Sequence, residues 1–321
     1  MKILAIETSC DETAIAVVED GRNILSNVVY TQIDIHTKYG GVVPEVASRE
    51  HIAKITYVID SCLKQANMTL NDIDKVAVTK TPGLIGSLMV GINTAKTISL
   101  CYNKPLIEVN HIHGHIYANY LVEDFKFPLL ALVVSGGHTE LVLMKDHMNF
   151  EILGETLDDA VGEAYDKVAR VVNVGYPGGP IIDKMAHMGT PRYKLPHILL
   201  GKDSYDFSFS GLKSAVINLY HNTKQRNEEL DYNDLAASFQ EAVVDVLVTK
   251  TKKAALEYNV KQVIIAGGVA ANKGLREGMQ KALDEVNIPL TVPPIKYCTD
   301  NAAMIAACAY FINNEKLIGK N

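Results

Sequence analysis

Three observations predict an α/β protein built from two similar lobes with a nucleotide cleft between them. A strand–turn–strand pattern occurs twice, a strand–glycine–helix unit follows each copy, and the composition is that of a chain with a substantial core. The 321 residues are 48% hydrophobic and 21% charged, enough for one large domain or two of ordinary size.

The first hairpin is Ile3-Leu4-Ala5-Ile6, the polar turn Glu7-Thr8-Ser9-Cys10-Asp11-Glu12, then Thr13-Ala14-Ile15-Ala16-Val17-Val18. Residues 129–144 repeat the plan, with Ser135-Gly136-Gly137-His138 as the turn between Leu129–Val134 and Thr139–Met144. Small and polar residues at a tight turn between apolar runs are the signature of antiparallel strands. Next in order, Val76-Ala77-Val78-Thr79 runs into Pro82-Gly83-Leu84-Ile85-Gly86 and a helical stretch. Its counterpart is Val263-Ile264-Ile265-Ala266 followed by Gly267-Gly268-Val269-Ala270-Ala271-Asn272. Two features repeated in the same order argue for duplication. The break Asp124-Phe125-Lys126-Phe127-Pro128 puts the boundary near residue 125. The expected lobes are residues 1–125 and 126–296, with residues 297–321 packing back onto the first. With no low-complexity linker, the lobes are expected to be tightly coupled.

No apolar run approaches the roughly 20 residues that cross a bilayer, so no membrane association is expected. The N-terminal run reads as a strand and not as a signal peptide. Five scattered cysteines (Cys10, Cys62, Cys101, Cys298, Cys308) without a Cys-x-x-Cys pair argue against a disulfide framework or thiolate zinc site. A reducing cytoplasm follows. Net charge is −6, so contact with nucleic acid needs a local basic patch.

The turn Ser135–His138 has two readings. Its glycines let a ligand approach the backbone, where successive N–H groups cradle a phosphate, or it is an ordinary tight turn. Gly267-Gly268, opening a helix near Asn272, has the same pair of readings, with the helix N-terminus favouring an anion. Together the two loops fit one nucleotide. Tyr176-Pro177-Gly178-Gly179-Pro180 is a further rigid stretch, either a ligand loop or only a loop.

The strongest chemical pattern is Asn110-His111-Ile112-His113-Gly114-His115. On a helix, His111 and His115 project from one face and can grip one metal ion, while His113 faces the other way. Asp300, just before an Ala-rich helix, is either a third ligand or an N-cap. Two histidines and a carboxylate leave coordination positions open for polarising a phosphoryl or carbonyl oxygen. A zinc peptidase would need Glu after the first histidine, and Ile112 stands there. Asp11 and Glu12, at the first hairpin turn, can orient a nucleophile, hold a magnesium ion or simply be solvated. Asp166 and Asp183 are candidates for ribose hydroxyls or surface charges. For Asp166 the surface reading pairs it with Lys167 or Arg170.

The run Glu7-Thr8-Ser9-Cys10-Asp11-Glu12-Thr13 resembles the opening signature of the TsaD family, the transferases that make threonylcarbamoyladenosine in tRNA. Further stretches match in order: Gly40-Gly41-Val42-Val43-Pro44-Glu45-Val46-Ala47-Ser48-Arg49-Glu50-His51, Pro82-Gly83-Leu84 with Gly91, and Asn110-His111 to His115. Ser135-Gly136-Gly137-His138-Thr139, Asp206-Phe207-Ser208-Phe209-Ser210-Gly211-Leu212-Lys213 and Gly267-Gly268-Val269-Ala270-Ala271-Asn272 follow. The match runs from residue 3 to about 308. His113 departs from the pattern, since relatives often carry an acidic or other residue there.

The resemblance implies an actin-like, hexokinase-like (ASKHA, RNase H-like) fold. It implies one divalent metal, Fe2+ with Zn2+ as the alternative, on His111, His115 and Asp300. It maps adenylate contacts onto Val133, Val134, Ser135, Gly136, Gly137, Asp166, Gly179, Asp183 and Asn272, where ATP or ADP could also bind. The implied reaction moves threonylcarbamoyl from threonylcarbamoyl-AMP to the exocyclic amine of the adenosine next to the anticodon. The tRNAs concerned read codons beginning with A, and Asp11 or Glu12 would orient or accept a proton. An anticodon-loop base is single-stranded and can be splayed into a site without opening a duplex. Lys38, Arg49, Arg192, Lys194, Lys202 and Lys213 are candidate phosphate contacts, and the apolar segment 52–63 is either a docking face or core. Bacterial relatives work with a shorter TsaB-type paralogue and a TsaE-type ATPase. A sugar or acetate kinase of the same superfamily is the rival enzyme. A TsaB-type scaffold would be expected to lack the His111/His115 pair.

Overall fold

A computed structural model describes residues 1–201 and 204–312. Within it the chain forms two compact units, Met1–Asp124 with Asp146–Met148 and residues 293–312, and Phe125–Lys145 with Asn149–Val292.

The first unit begins with β1 (Lys2–Glu7), β2 (Glu12–Glu19) and β3 (Asn23–Thr31), then α1 (Ile33–Thr37) and α2 (Pro44–Gln65). After β4 (Lys75–Thr81) come α3 (Ile85–Tyr102), β5 (Leu106–Asn110) and α4 (His111–Tyr117). Its sheet has the order β3-β2-β1-β4-β5. β1 lies antiparallel to β2 and parallel to β4, so the central strand is paired on both edges. Leu4 and Ile6 pack with Ile55 and Val58 of α2 and Leu88 and Ile92 of α3. Ile3 and Ala5 alternate to the opposite face and are equally buried, because the last helix, α10 (Ala302–Ile312), packs against β1 and β2. A sheet covered on both faces explains why β1 reads as one apolar run. On α2 the apolar segment splits, since Ile55, Val58 and Cys62 are core while Ile52 and Tyr57 are exposed.

The second unit contains β6 (Leu129–Val134), β7 (Thr139–Asp146), β8 (Asn149–Glu155), α5 (Val161–Val171) and α6 (Gly178–Ala186). It continues with α7 (Ser210–Gln225), α8 (Tyr232–Glu257), β9 (Gln262–Ala266), α9 (Lys273–Asp284) and β10 (Leu290–Thr291). Its sheet runs β10-β9-β6-β7-β8. β6 is antiparallel to β7 and parallel to β9, the same arrangement that β1 has with β2 and β4. The repeated hairpin and the repeated strand–glycine–helix unit therefore occupy equivalent places in two like sheets.

All five cysteines are free. Among the described residues no helix is long and apolar enough to cross a membrane.

Candidate metal centre and nucleotide loops

The metal site is assembled by one short helix and one long-range contact. Asn110, the last residue of β5, caps α4: its side-chain oxygen accepts the N–H of Ile112 at 2.8 Å and of His113 at 3.2 Å. Capping starts the helix at His111, and four-residue spacing then sets His111 and His115 edge to face, ring centroids 4.6 Å apart and planes at 80°. His113 leaves that face, and burial pushes its pKa down to about 4. Gly114 sits beneath α10. A Cβ there would lie 2.6 Å from Ile305 Cδ1, so glycine lets α10 approach. Asp300, just before α10, then brings its carboxylate 3.1 Å from Nε2 of His115 and 3.5 Å from Nε2 of His111. Capping of α10 falls to Asn301, whose side-chain oxygen accepts the Met304 N–H at 3.0 Å. The N-cap reading of Asp300 is thereby corrected: a cap reaches the N–H groups two and three residues ahead, and Asn301 is the residue in that register.

One donor atom from each of His111, His115 and Asp300 lies within 4.8 Å of the others. Two imidazole nitrogens and a carboxylate suit a divalent first-row metal, and both histidines are buried. Burial opposes the Asp300 carboxylate's ionisation, but His111 and His115 hold its pKa below the usual range. Burial likewise lowers the His111 pKa, and Asp300 with Glu7 outweighs it and drives it up. The cluster therefore favours a positive charge. The residues fit a metal ion.

Sequence reasoning assigned no role to the groups behind His111. Glu7, at the end of β1, is wholly buried and lies 3.0 Å from His111 Nδ1 through Oε2. Ser9 Oγ is 3.2 Å from the same nitrogen, and Thr79 of β4 donates to Glu7. The available signal was a carboxylate ending an otherwise apolar buried strand.

Asp11 and Glu12 occupy the turn that follows. Asp11 is buried and its carbonyl accepts the Gln32 N–H at 3.0 Å. Glu12 is half-buried and accepts the Thr31 hydroxyl at 3.3 Å. Burial first, then the nearby Asp300 and Asp11 charges, push the Glu12 pKa well above the carboxylate range. His51 of α2 braces the turn, with Nε2 2.9 Å from the Cys10 carbonyl and Nδ1 2.7 Å from Thr13 Oγ1.

In the second unit the Ser135 turn closes through Ser135 N–H to His138 carbonyl, 2.8 Å. The N–H groups of Gly137 and His138 both donate to Ser135 Oγ, at 3.4 and 3.0 Å, so the hydroxyl engages both donors of the turn. Val133 and Val134 are fully buried and paired within the sheet, Val133 with both β7 and β9, so neither presents accessible surface to a ligand. A Cβ on Gly136, Gly137, Gly179 or Gly268 would meet nothing within 4 Å. Packing therefore does not require glycine there. Gly178 differs, since its Cβ would stand 2.6 Å from Ala169 Cβ and 2.8 Å from Asp166 Cα. Gly267 differs too, with φ +92° and ψ 171°, a region essentially reserved for glycine.

Asp166 is not tied to Lys167, which binds Asp159 and Glu163. It accepts the Gly178 N–H at 2.7 Å and so caps α6. Burial raises the Asp166 pKa, opposed by the Gly178 and Gly179 N–H groups and by the charge of Arg170, the other partner that helical spacing offers. Asp183 meets α9 in the same way, accepting the Lys273 N–H at 3.1 Å. Asn272 caps α9 through the Leu275 N–H at 2.8 Å. Gln240, unremarked in the sequence, joins them: its amide nitrogen donates to Asp183 at 2.9 Å and its oxygen accepts from Asn272 at 2.8 Å.

Of the basic candidates, Arg49, Arg192 and Lys213 pair with Glu45, Asp234 and Asp159. Lys38 and Lys194 are exposed, and Lys202 lies outside the described residues.

The family model of TsaD, tRNA N6-adenosine threonylcarbamoyltransferase, matches residues 23–307. A tRNA N6-adenosine threonylcarbamoyltransferase of Bacillus thuringiensis (strain Al Hakam) is 61% identical over 306 residues, 95% of this chain and 89% of that protein. One of Staphylococcus haemolyticus (strain JCSC1435) is 58% identical over 318 residues, 99% of this chain and 93% of that protein. Among solved structures, component A of the Acidaminococcus fermentans (R)-2-hydroxyglutaryl-CoA dehydratase aligns with TM-score 0.58 and 14% identity. It covers 97% of this chain and 98% of its own. HypF of T. kodakarensis aligns with TM-score 0.63 and 14% identity over 98% of this chain and 48% of that one. These two likenesses are of fold alone, and the fold is of the ASKHA type. The family model and the close relatives span nearly the whole sequence, and the chain belongs to the TsaD family of tRNA N6-adenosine threonylcarbamoyltransferases.

Proposed function

We propose that this chain transfers the threonylcarbamoyl group of threonylcarbamoyl-AMP to the exocyclic amine of the adenosine next to the anticodon, in tRNAs reading codons that begin with A. The observation that carries the reading is the His111–His115–Asp300 trio, its two histidines buried, in a chain of this family.

His111, His115 and Asp300 hold the divalent metal, iron in the first instance and zinc as the alternative. When bound, the metal supplies a Lewis acid for the donor's acyl group. The Ser135–Gly137 turn and the region of Asp166, Gly179, Asp183 and Asn272 take the adenylate, with exposed Gly136 and Gly137 allowing its phosphate to reach backbone N–H groups. The amine nitrogen forms the new bond to the carbamoyl carbon, the bond to the phosphate oxygen breaks and AMP leaves. Asp11 or Glu12 accepts the amine proton. A net charge of −6 argues that TsaB- and TsaE-type proteins share the tRNA-binding work, in the cytoplasm.

The test is transfer of labelled threonylcarbamoyl from its adenylate to unmodified tRNA, comparing wild type with His111→Ala in the presence of those partners and with metal content measured. The expected result is transfer by wild type, lost together with the metal in the variant. No transfer by folded, metal-loaded wild type would overturn the reading and favour phosphoryl transfer to a small substrate.

A further inference from the structure

Glu7 is a fully buried carboxylate that the proposed reaction leaves without a role. A buried charge persists only where its oxygens are satisfied, and three elements supply the donors. Oε1 accepts the Ser9 N–H at 2.5 Å, and Oε2 accepts the Thr79 hydroxyl at 2.5 Å. Oε2 also lies 3.0 Å from Nδ1 of His111. An ionised carboxylate can only accept, so the His111 ring carries its proton on Nδ1. Its Nε2 faces Asp300 at 3.5 Å and is the nitrogen that would offer its lone pair to a metal. His115 is different: its Nε2 is 3.1 Å from Asp300, but its buried Nδ1 has no hydrogen-bond partner among the described residues.

We infer that Glu7 is the positioning residue of the metal centre, fixing the tautomer and orientation of His111 and making it the anchoring ligand. The inference rests on the reading of His111, His115 and Asp300 as ligands. A carboxylate behind a ligating imidazole sets the tautomer and raises the basicity of the coordinating nitrogen, and its loss typically weakens metal binding about 10–100-fold. Because the Nδ1 of His115 lacks such a partner, His111 is the one ring of the pair held from behind by a carboxylate. Thr79 and Ser9 act one step further out, holding the carboxylate against the ring.

The experiment is titration of the metal-free full-length chain with Co2+, followed by its d–d absorption, for wild type, Glu7→Gln and His111→Ala. Circular dichroism and the metal-free Tm are recorded alongside. Glu7→Gln keeps the volume and removes the charge, and its Co2+ affinity is expected to fall about 10–100-fold, with a changed d–d spectrum. A purely structural Glu7 would shift the metal-free Tm and leave affinity and spectrum as in wild type. An affinity within about twofold of wild type, while His111→Ala abolishes binding, overturns the proposal. Wild-type affinity in His111→Ala overturns the ligand assignment itself, and with it the role of Glu7. If Glu7→Gln does not fold, Glu7→Asp decides. It keeps the charge but withdraws it from Nδ1, so weakened Co2+ binding supports the inference and unchanged binding refutes it.

Discussion

Gly162→Ala separates the packing of the Ser135 turn from the intrinsic preference of its helix. Gly162 lies in the first turn of α5, and its N–H donates to the Ser135 carbonyl at 3.1 Å. An added Cβ would stand 2.6 Å from that carbonyl oxygen and 2.9 Å from both N and Cα of Gly136. Ordinary contact begins near 3.4 Å, so the shortfall is 0.8 Å at the oxygen and 0.5 Å at the other two. Helix propensity favours the substitution by at most about 1 kcal/mol. Overpacking costs about 1–3 kcal/mol, and straining the Gly162–Ser135 hydrogen bond adds about 0.5–1.5 kcal/mol. The clash is with backbone and no side chain can rotate away, so the unfavourable effects win. A net loss of about 1–3 kcal/mol should lower Tm by about 2–12 °C. The turn must retreat by most of an ångström, which should weaken adenylate binding by about 10–100-fold. Thermal unfolding and calorimetric titration with a non-hydrolysable threonylcarbamoyl-AMP analogue read the two effects. Gly136→Ala is the comparison: its Cβ meets nothing within 4 Å, so Tm should stay within the range of a neutral surface change while affinity falls. Wild-type affinity in Gly136→Ala would refute the role given to the exposed glycines. An unchanged Tm and affinity in Gly162→Ala would refute the packing argument.

Two other perturbations test the supports of the site. Asn272→Ala removes the cap on Leu275 and the donor to Gln240; it should cost about 1–3 kcal/mol in urea unfolding, whereas Asn272→Asp, which keeps the capping oxygen, should lose less. Equal losses would mean that capping is not what Asn272 contributes. His51→Leu leaves the Cys10 carbonyl and Thr13 hydroxyl without their buried partner, and about 2–4 kcal/mol of stability should go with it. Burial holds the His51 pKa below its ordinary value, so on acidification the unfolded chain takes up a proton near pH 6.5 that the folded chain refuses. Wild-type stability should fall as pH drops through that value toward the depressed folded pKa, with a shallower slope in His51→Leu; identical slopes would count against a neutral folded His51.

Much of the fold was legible because its signals are local. Apolar runs on either side of Glu7–Glu12 and of Ser135–His138 specified two hairpins, and the strand–glycine–helix units specified the parallel partners beside them. Asn110 followed by His111 and His115 spans little more than one helical turn, so cap, helix start and paired imidazoles could all be read from neighbouring residues. The resemblance to the TsaD family, not spacing, singled out Asp300.

Long-range packing decided the rest. Asp300 reaches the histidines across the close contact of Gly114 with α10, and the neighbouring Asn301 takes the capping role that the sequence allowed to Asp300. Glu7 ends an apolar strand in sequence, and only the pairing of β1 with β4, followed by α4, brings Thr79 and His111 to its carboxylate. Gln240 joins Asp183 to Asn272 across intervals of 57 and 32 residues, with no periodicity to announce it. The glycines divide in the same way. One letter in the sequence stands for a packing requirement at Gly162 and Gly178, a backbone requirement at Gly267 and open space at Gly136 and Gly179. Local sequence determined elements and caps, because those energies act between neighbours in the chain. Which distant side chains share a site was settled by how the elements pack.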